Sequence, residues 1–184
     1  MAFYKELLAA GFGGQGIMML GQLVAYSGIE DGRNVTWIPS YGPEMRGGTA
    51  NCSCVVSDEP VGSPMVTQGD VVVIMNQPSL AKFEGSVKPG GVLIYDSDLV
   101  EYPNPRTDCI VIPVPSQTIA AELGSAKVAN IVMLGVLVEA SKMVSEESVD
   151  KIIREKLGAK KPQFLPMNLS AYEKGREIAR QYCK

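Results

Sequence analysis

Apolar and polar positions along the 184-residue chain keep changing period, and the changes mark its elements. YKELLAA (4–10) reads as a short apolar strand ending at Gly11. Residues 15–30 then carry Ile17, Met18, Leu20, Leu23 and Val24 on most faces of one helix, the mark of a helix packed on a sheet. NVTWIP (34–39) is a second strand, a loop follows at 40–49, and ANCSCVVS (50–57) is a long third strand. EPVGSPMV (59–66) is rich in turn residues, with room for a short hairpin arm. DVVVIM (70–75) is a continuous β-branched run, the pattern of a parallel strand buried on both faces.

Downstream, Pro78 suits the first turn of a helix through about residue 86. Pro89, Gly90 and Gly91 predict a turn before strand 92–95, which ends at Asp96, and DCIVIPVP (108–115) is another buried strand. Helices are expected at 116–123 and 126–144, at 146–157 behind a Ser145 cap, and from about Ser170 to Tyr182. Strands alternating with helices predict an α/β chain: one three-layer α/β/α, Rossmann-like domain over residues 1–184, with a largely parallel sheet. No internal repeat, low-complexity segment or dividing linker stands out.

Composition narrows the chemistry more than the fold. The chain has no histidine, which removes Ser-His-Asp and Cys-His nucleophile systems and histidine metal sites together. Its net charge of −3 and lack of a basic block argue against nucleic acid as a partner. No apolar run is long enough for a membrane span, and the first residues lack a secretory pattern, so the expected compartment is the cytoplasm. Cys52, Cys54, Cys109 and Cys183 fit neither zinc nor iron–sulfur spacing. Cys52 and Cys54 share one strand face, either as small buried thiols or as a redox or metal pair.

Two loops carry the candidate chemistry. Gly11, Gly13 and Gly16 fit the G-x-G-x-x-G dinucleotide fingerprint between a strand and a helix, where backbone N–H groups and the helix dipole attract an anion. The fingerprint also asks for an acidic residue at the end of strand two. Ile38, Pro39 and Ser40 stand there instead. The second loop, SYGPEMRGG (40–48), follows strand two and is expected on the same edge of the sheet. A lone arginine among glycines suits phosphate or carboxylate recognition.

GFGGQG near the N-terminus, YGPEMRGG about 30 residues on, and AKVANIVMLG further down together resemble the gamma subunit of 2-oxoacid:ferredoxin oxidoreductases, over about residues 5–180. The forms YGPEMRGGTANC, VGSPMV and MNQPSL look most similar to the 2-oxoglutarate branch. The resemblance implies a subunit of an enzyme that decarboxylates a 2-oxoacid on thiamine diphosphate, passes electrons through [4Fe–4S] clusters to ferredoxin, and forms an acyl-CoA. Thiamine diphosphate, Mg and the clusters are then expected in alpha, beta and ferredoxin-like delta partner subunits. This chain would bind none of them alone, and coenzyme A is the ligand it would help receive. Carried onto this sequence, Gly11, Gly13, Gly14, Gln15 and Gly16 form an anion-facing edge, with Tyr41, Gly42, Glu44, Arg46, Gly47 and Gly48 as the neighbouring loop. Asn76 and Gln77 end the strand 70–75 on that edge. Asn130, one turn from Lys127 in an apolar helix, is either a structural cap or a site group.

Three functions stand open on these residues: an accessory gamma subunit inactive in isolation, a Rossmann-type NAD(P)- or FAD-binding oxidoreductase domain, and a scaffold whose glycine loop only packs.

Overall fold

The computed structural model describes residues 2–41 and 49–183. In chain order they form β1 (Tyr4–Phe12), α1 (Ile17–Glu30), β2 (Asn34–Tyr41), β3 (Thr49–Ser57), β4 (Gly69–Ile74), α2 (Gln77–Phe83), β5 (Val87–Asp96) and β6 (Ile110–Val114). Then follow α3 (Ser116–Glu122), α4 (Ala129–Ser141), α5 (Glu146–Ile153) and α6 (Leu165–Tyr182). No helix among the described residues is long and apolar enough to cross a membrane.

The six strands make one sheet in the order β2-β3-β1-β4-β5-β6. The run β1-β4-β5-β6 is parallel, as the buried β-branched strands predict. β3 differs: it lies antiparallel to both β1 and β2. It is inserted between two strands that a dinucleotide-binding fold keeps adjacent. β2 still points the same way as β1, and Gly11 and Tyr41 both pair with Ala50. Tyr41 and Thr49, the described ends of β2 and β3, therefore lie at the edge where the glycine loop begins.

One face of the sheet carries α1, α3, α4 and α6 over a core that includes Leu7, Leu20, Ile94, Met133 and Leu134. The other face is thinner: α2 and the irregular segments 58–68 and 97–109 cover Leu8, Val72, Ile74 and Leu93. The turn-rich stretch 59–66 forms no hairpin; Val66 packs into this second core instead. β5 begins at Val87 rather than 92, because a register shift against β4 absorbs Pro89–Gly91. α6 begins at Leu165, five residues before its expected start, with Pro166 in its first turn, where a missing N–H costs nothing.

α4 is buried from Ala129 through Val138, between the sheet and α6. Gly135 and Gly175 set the helix crossing: a Cβ on Gly135 would run into the Tyr172 carbonyl, and one on Gly175 into the Val132 carbonyl. At the opposite end of the sheet, Asp31 joins α1 to α5. Its carboxylate accepts from the Ser145 N–H at 2.7 Å and from the Ser145 and Ser148 hydroxyls. Burial alone would raise its pKa, but these hydrogen bonds, with Arg33 nearby, hold it below the ordinary carboxylate value. A depressed folded pKa contributes stability above the unfolded value, and that contribution is lost as pH falls through the folded one. Asp31→Asn is therefore expected to flatten the acid limb of stability below about pH 4; urea melts of both proteins between pH 3 and 7 check it, and parallel acid limbs would contradict it.

Candidate functional site

At the carboxyl edge, β1 runs two residues further than its pattern suggests, so Gly11 is a buried strand residue and not part of the turn. A Cβ there would meet Gln15 Oε1 at 2.6 Å and Met75 Cβ at 3.2 Å. Gly11 thus makes room for Gln15, which ties the loop down. Gln15 Oε1 accepts from the Phe12 N–H at 2.6 Å, and its Nε2 donates to the Met75 carbonyl at 2.9 Å, across to the end of β4. Both functions of the amide are spent within the chain. Gln15→Ala leaves the buried Met75 carbonyl without this donor and the Phe12 N–H without this acceptor. Thermal melts are expected to show a loss of about 1–3 kcal/mol, and an unchanged Tm would refute this role.

The rest of the loop has the geometry of an anion cradle. Gly14 and Gly16 lie at φ 94° and 79°, where side chains are strained. Gly16 is the N-cap of α1 and, having no side chain, supplies no cap to the helix's first N–H groups. Asn130, at the start of α4 and only 3% exposed, donates from Nδ2 to the Gly16 carbonyl at 3.2 Å. Its Oδ1 is buried with no hydrogen-bond partner among the described residues. A Cβ on Gly16 would collide with the Asn130 amide. Asn130 is therefore both a structural clamp and a group with one unmet acceptor.

Gly14, Gln15, Gly16 and Met19 form one wall of a cleft of about 380 Å³; Gln117, Lys127 and Asn130 form the other. Lys127 is exposed, on a 3₁₀ turn (126–128) that Ser125 caps before α4. Gln117 is placed by Asp96, a fully buried carboxylate that accepts from the Ser116 hydroxyl at 2.6 Å and from Gln117 Nε2 at 2.9 Å. Asp96 thus fixes the start of α3, consistent with its position after a strand. Met19, Gln117 and Lys127 join the cleft from segments far apart in sequence.

The other expected site residues lie elsewhere or are already engaged. Asn76 caps α2, its Oδ1 accepting from the Ser79 N–H at 2.9 Å. Its Nδ2 is buried without a partner among the described residues. Gln77 exchanges two hydrogen bonds with the Glu101 backbone, at 3.1 and 2.7 Å, pinning the segment after β5. Tyr41 ends β2. Gly42, Glu44, Arg46, Gly47 and Gly48 lie outside the described residues.

Cys52 and Cys54 are fully buried against the α1 side of the sheet, and burial pushes their thiols up to about 11 and about 12. They are inert protonated thiols at neutral pH. Among the described residues, no three His, Cys, Asp or Glu side chains are grouped to hold a metal ion. Trp37 packs beside Cys52 against Gly21 of α1.

Residues 6–178 match the pyruvate ferredoxin/flavodoxin oxidoreductase family. The chain belongs to that family. Among curated relatives, the ketoisovalerate oxidoreductase subunit VorA of Methanothermobacter marburgensis is 40% identical over 94% of this chain, which spans only 36% of that longer protein. The 2-oxoglutarate synthase subunit KorC of Methanocaldococcus jannaschii is 37% identical, with 96% of this chain and 95% of the relative covered. Among solved structures, the gamma subunit of a keto/oxoacid ferredoxin oxidoreductase from Geobacter sulfurreducens superposes with a TM-score of 0.81 at 31% identity, covering 96% and 99% of the two chains. A 2-oxoglutarate:ferredoxin oxidoreductase from Magnetococcus marinus, solved with 2-oxoglutarate, coenzyme A and succinyl-CoA bound, superposes with a TM-score of 0.87 at 26% identity. That match covers 97% of this chain and 31% of the other. This oxidoreductase family thus occurs both as a stand-alone unit of this length and as part of longer chains.

Proposed function

We propose that the chain is the gamma subunit of a 2-oxoacid:ferredoxin oxidoreductase acting on 2-oxoglutarate, and that its carboxyl edge helps receive coenzyme A. The observation that carries the reading is the near end-to-end match to KorC, joined to an anion cradle at the start of α1. Among the described residues no three potential metal ligands are grouped, and the Cys52 and Cys54 thiols are buried and protonated. Decarboxylation, electron transfer and acyl-CoA formation then need partner subunits of alpha, beta and ferredoxin-like delta type, which carry thiamine diphosphate, magnesium and the iron–sulfur clusters. The work of this chain is to bind and orient: the uncapped N–H groups of α1 face an anion, and the strained glycines let it approach closely. The whole assembly fits a cytoplasmic enzyme.

A dinucleotide reading lacks support from the residues. The strand on the β2 side of β1 is the antiparallel β3, and Ile38, Pro39, Ser40 and Tyr41, the last residues of β2, include no acidic group for a ribose. Titration of NADH, NADPH and FAD against Trp37 fluorescence, expected to give no saturable change at millimolar ligand, tests this point.

Turnover of the assembled enzyme with 2-oxoglutarate, pyruvate and 2-oxoisovalerate tests the substrate. The expected result is the highest kcat/KM for 2-oxoglutarate, dependent on coenzyme A; preference for either other acid would refute the substrate, and turnover indifferent to coenzyme A would refute the binding role. Gly13→Ala and Arg46→Ala are expected to raise KM for coenzyme A, by about 1–3 kcal/mol where a charged hydrogen bond is lost. Normal assembly with an unchanged KM in both variants would leave the chain a scaffold.

A further inference from the structure

The sheet ends on β2, and among the described residues no strand pairs with β2 on its outer side. The ladder fixes which of its backbone groups are left over. The Asp58 N–H donates to the Phe3 carbonyl, next to the Tyr4–Ser57 pair, so even-numbered residues of β3 bond β1 and odd-numbered ones bond β2. Through the register between β2 and β3, Thr36 and Ile38 bond inward, while Val35, Trp37 and Pro39 turn their backbone polar groups outward. Pro39 agrees with this parity, since a proline in an edge strand sits where the ladder asks for no donor. Sheet edges are ordinarily blunted by short strands or by charge. At the opposite edge β6 has only five residues. β2 has eight, and none is charged.

α1 extends this open side above the sheet. Gly21 faces Trp37 and Gly28 faces Val35, so the helix runs antiparallel to β2. Leu23 and Ser27 are buried on one flank of α1. Met18, Gln22, Ala25 and Ile29, alternately four and three residues apart, line the opposite flank. Met18 and Ala25 are half-buried, and Ile29 is 60% exposed. No residue from Ile17 to Ile29 is charged. The edge therefore has no charge to pair with a charged partner and none to repel an identical one.

We propose that a second copy of this chain covers this edge, with β2 pairing antiparallel to its counterpart about a two-fold axis at Thr36. Val35 of each copy then exchanges hydrogen bonds with Trp37 of the other, and Pro39 with its missing donor falls outside these pairs. The same axis serves the helices. Thr36 lies between Val35 and Trp37, and the residues of α1 above those two are Gly28 and Gly21. The midpoint of the Met18–Ile29 seam falls between the same two glycines. Two antiparallel copies of α1 thus set Ile29 against Met18 and Gln22 against Ala25. A copy of the chain satisfies strand and helix together, as an isologous contact requires. The strand is about 27 Å long and the helix about 21 Å. Such a face is near the lower bound of specific interfaces, about 600 Å² per partner, so a dimer of micromolar affinity is expected.

Sedimentation of the full chain from micromolar to submillimolar concentration should show a monomer–dimer equilibrium. Ile29→Glu sets two carboxylates into the apolar seam and should raise the dissociation constant at least about tenfold. Ile29 is exposed, so circular dichroism should show an unchanged monomer. Hydrogen exchange reads the strand itself. The Val35 and Trp37 amides should be protected in the dimer and lose protection on dilution or in Ile29→Glu, while those of Thr36 and Ile38 stay protected throughout. A natural chain that is monomeric over the whole range, or an Ile29→Glu chain that dimerises equally well, would overturn the proposal. So would a dimer in which Val35 and Trp37 exchange freely. Protection of these two amides that appears only on adding the enzyme's other subunits would give the edge to those subunits, and would overturn it as well.

Discussion

Gly175→Ala is expected to lower the melting temperature by about 4–8 °C. The cause is geometric. α4 and α6 cross with backbone against backbone, and the new Cβ would lie on the Val132 carbonyl. Gly135→Ala meets the Tyr172 carbonyl from the other side. A flexible side chain can turn aside; two helix backbones must separate. α4 is buried from Ala129 through Val138, so separation also opens its contacts with the sheet. Overpacking of this kind costs about 3 kcal/mol, the upper part of the usual range. The better helix propensity of alanine returns about 1 kcal/mol, and the quoted melting shift follows from the net loss for a chain of this size. Because both glycines serve one crossing, the double variant should lose less than the sum of the single losses. Calorimetric scans of all three variants check this, and a change below 2 °C in either single variant would contradict the close crossing.

Gly16→Val is expected to have the largest effect on the site. At φ 79° a β-branched residue is strained by about 1–3 kcal/mol, and its side chain would displace the Asn130 amide. The displaced amide no longer bonds the Gly16 carbonyl, and the start of α1 no longer meets the start of α4 in the same geometry. In the assembled enzyme, KM for coenzyme A should rise by at least tenfold, with a smaller effect in Asn130→Ala, which removes the clamp without straining the loop. Steady-state kinetics at saturating 2-oxoacid separate the two, and a normal KM in Gly16→Val would show that the loop is not a ligand contact.

Much of this arrangement is legible along the chain. The continuous β-branched run at 70–75 announces a buried parallel strand, and glycines between an apolar strand and an apolar helix announce a tight strand–turn–helix connection. Ser145 reads as a cap and is one. The residues that escaped do so for physical reasons. Nothing local says that 49–57 turns back between β1 and β2, because pairing direction is decided by long-range register. Gly11 fits the fingerprint by spacing, yet its role is set by Gln15 folding back beneath it. Gly135 and Gly175 carried a usable signal, since a glycine inside an apolar helix weakens the helix unless a neighbour comes close. Lys127 and Gln117 gave no such signal: two polar residues near helix starts become site walls only when three distant segments meet at one sheet edge.

The central claim is that this chain is a required subunit which binds and orients for an enzyme whose redox chemistry lies in its partners. The most direct measurement is 2-oxoglutarate- and coenzyme A-dependent reduction of ferredoxin by the purified chain, by its partner subunits, and by the two mixed. No turnover by the chain alone is expected, with a severe loss of coenzyme A-dependent turnover when it is omitted and recovery on mixing. Turnover by the isolated chain, or full turnover by the partners without it, would contradict the account.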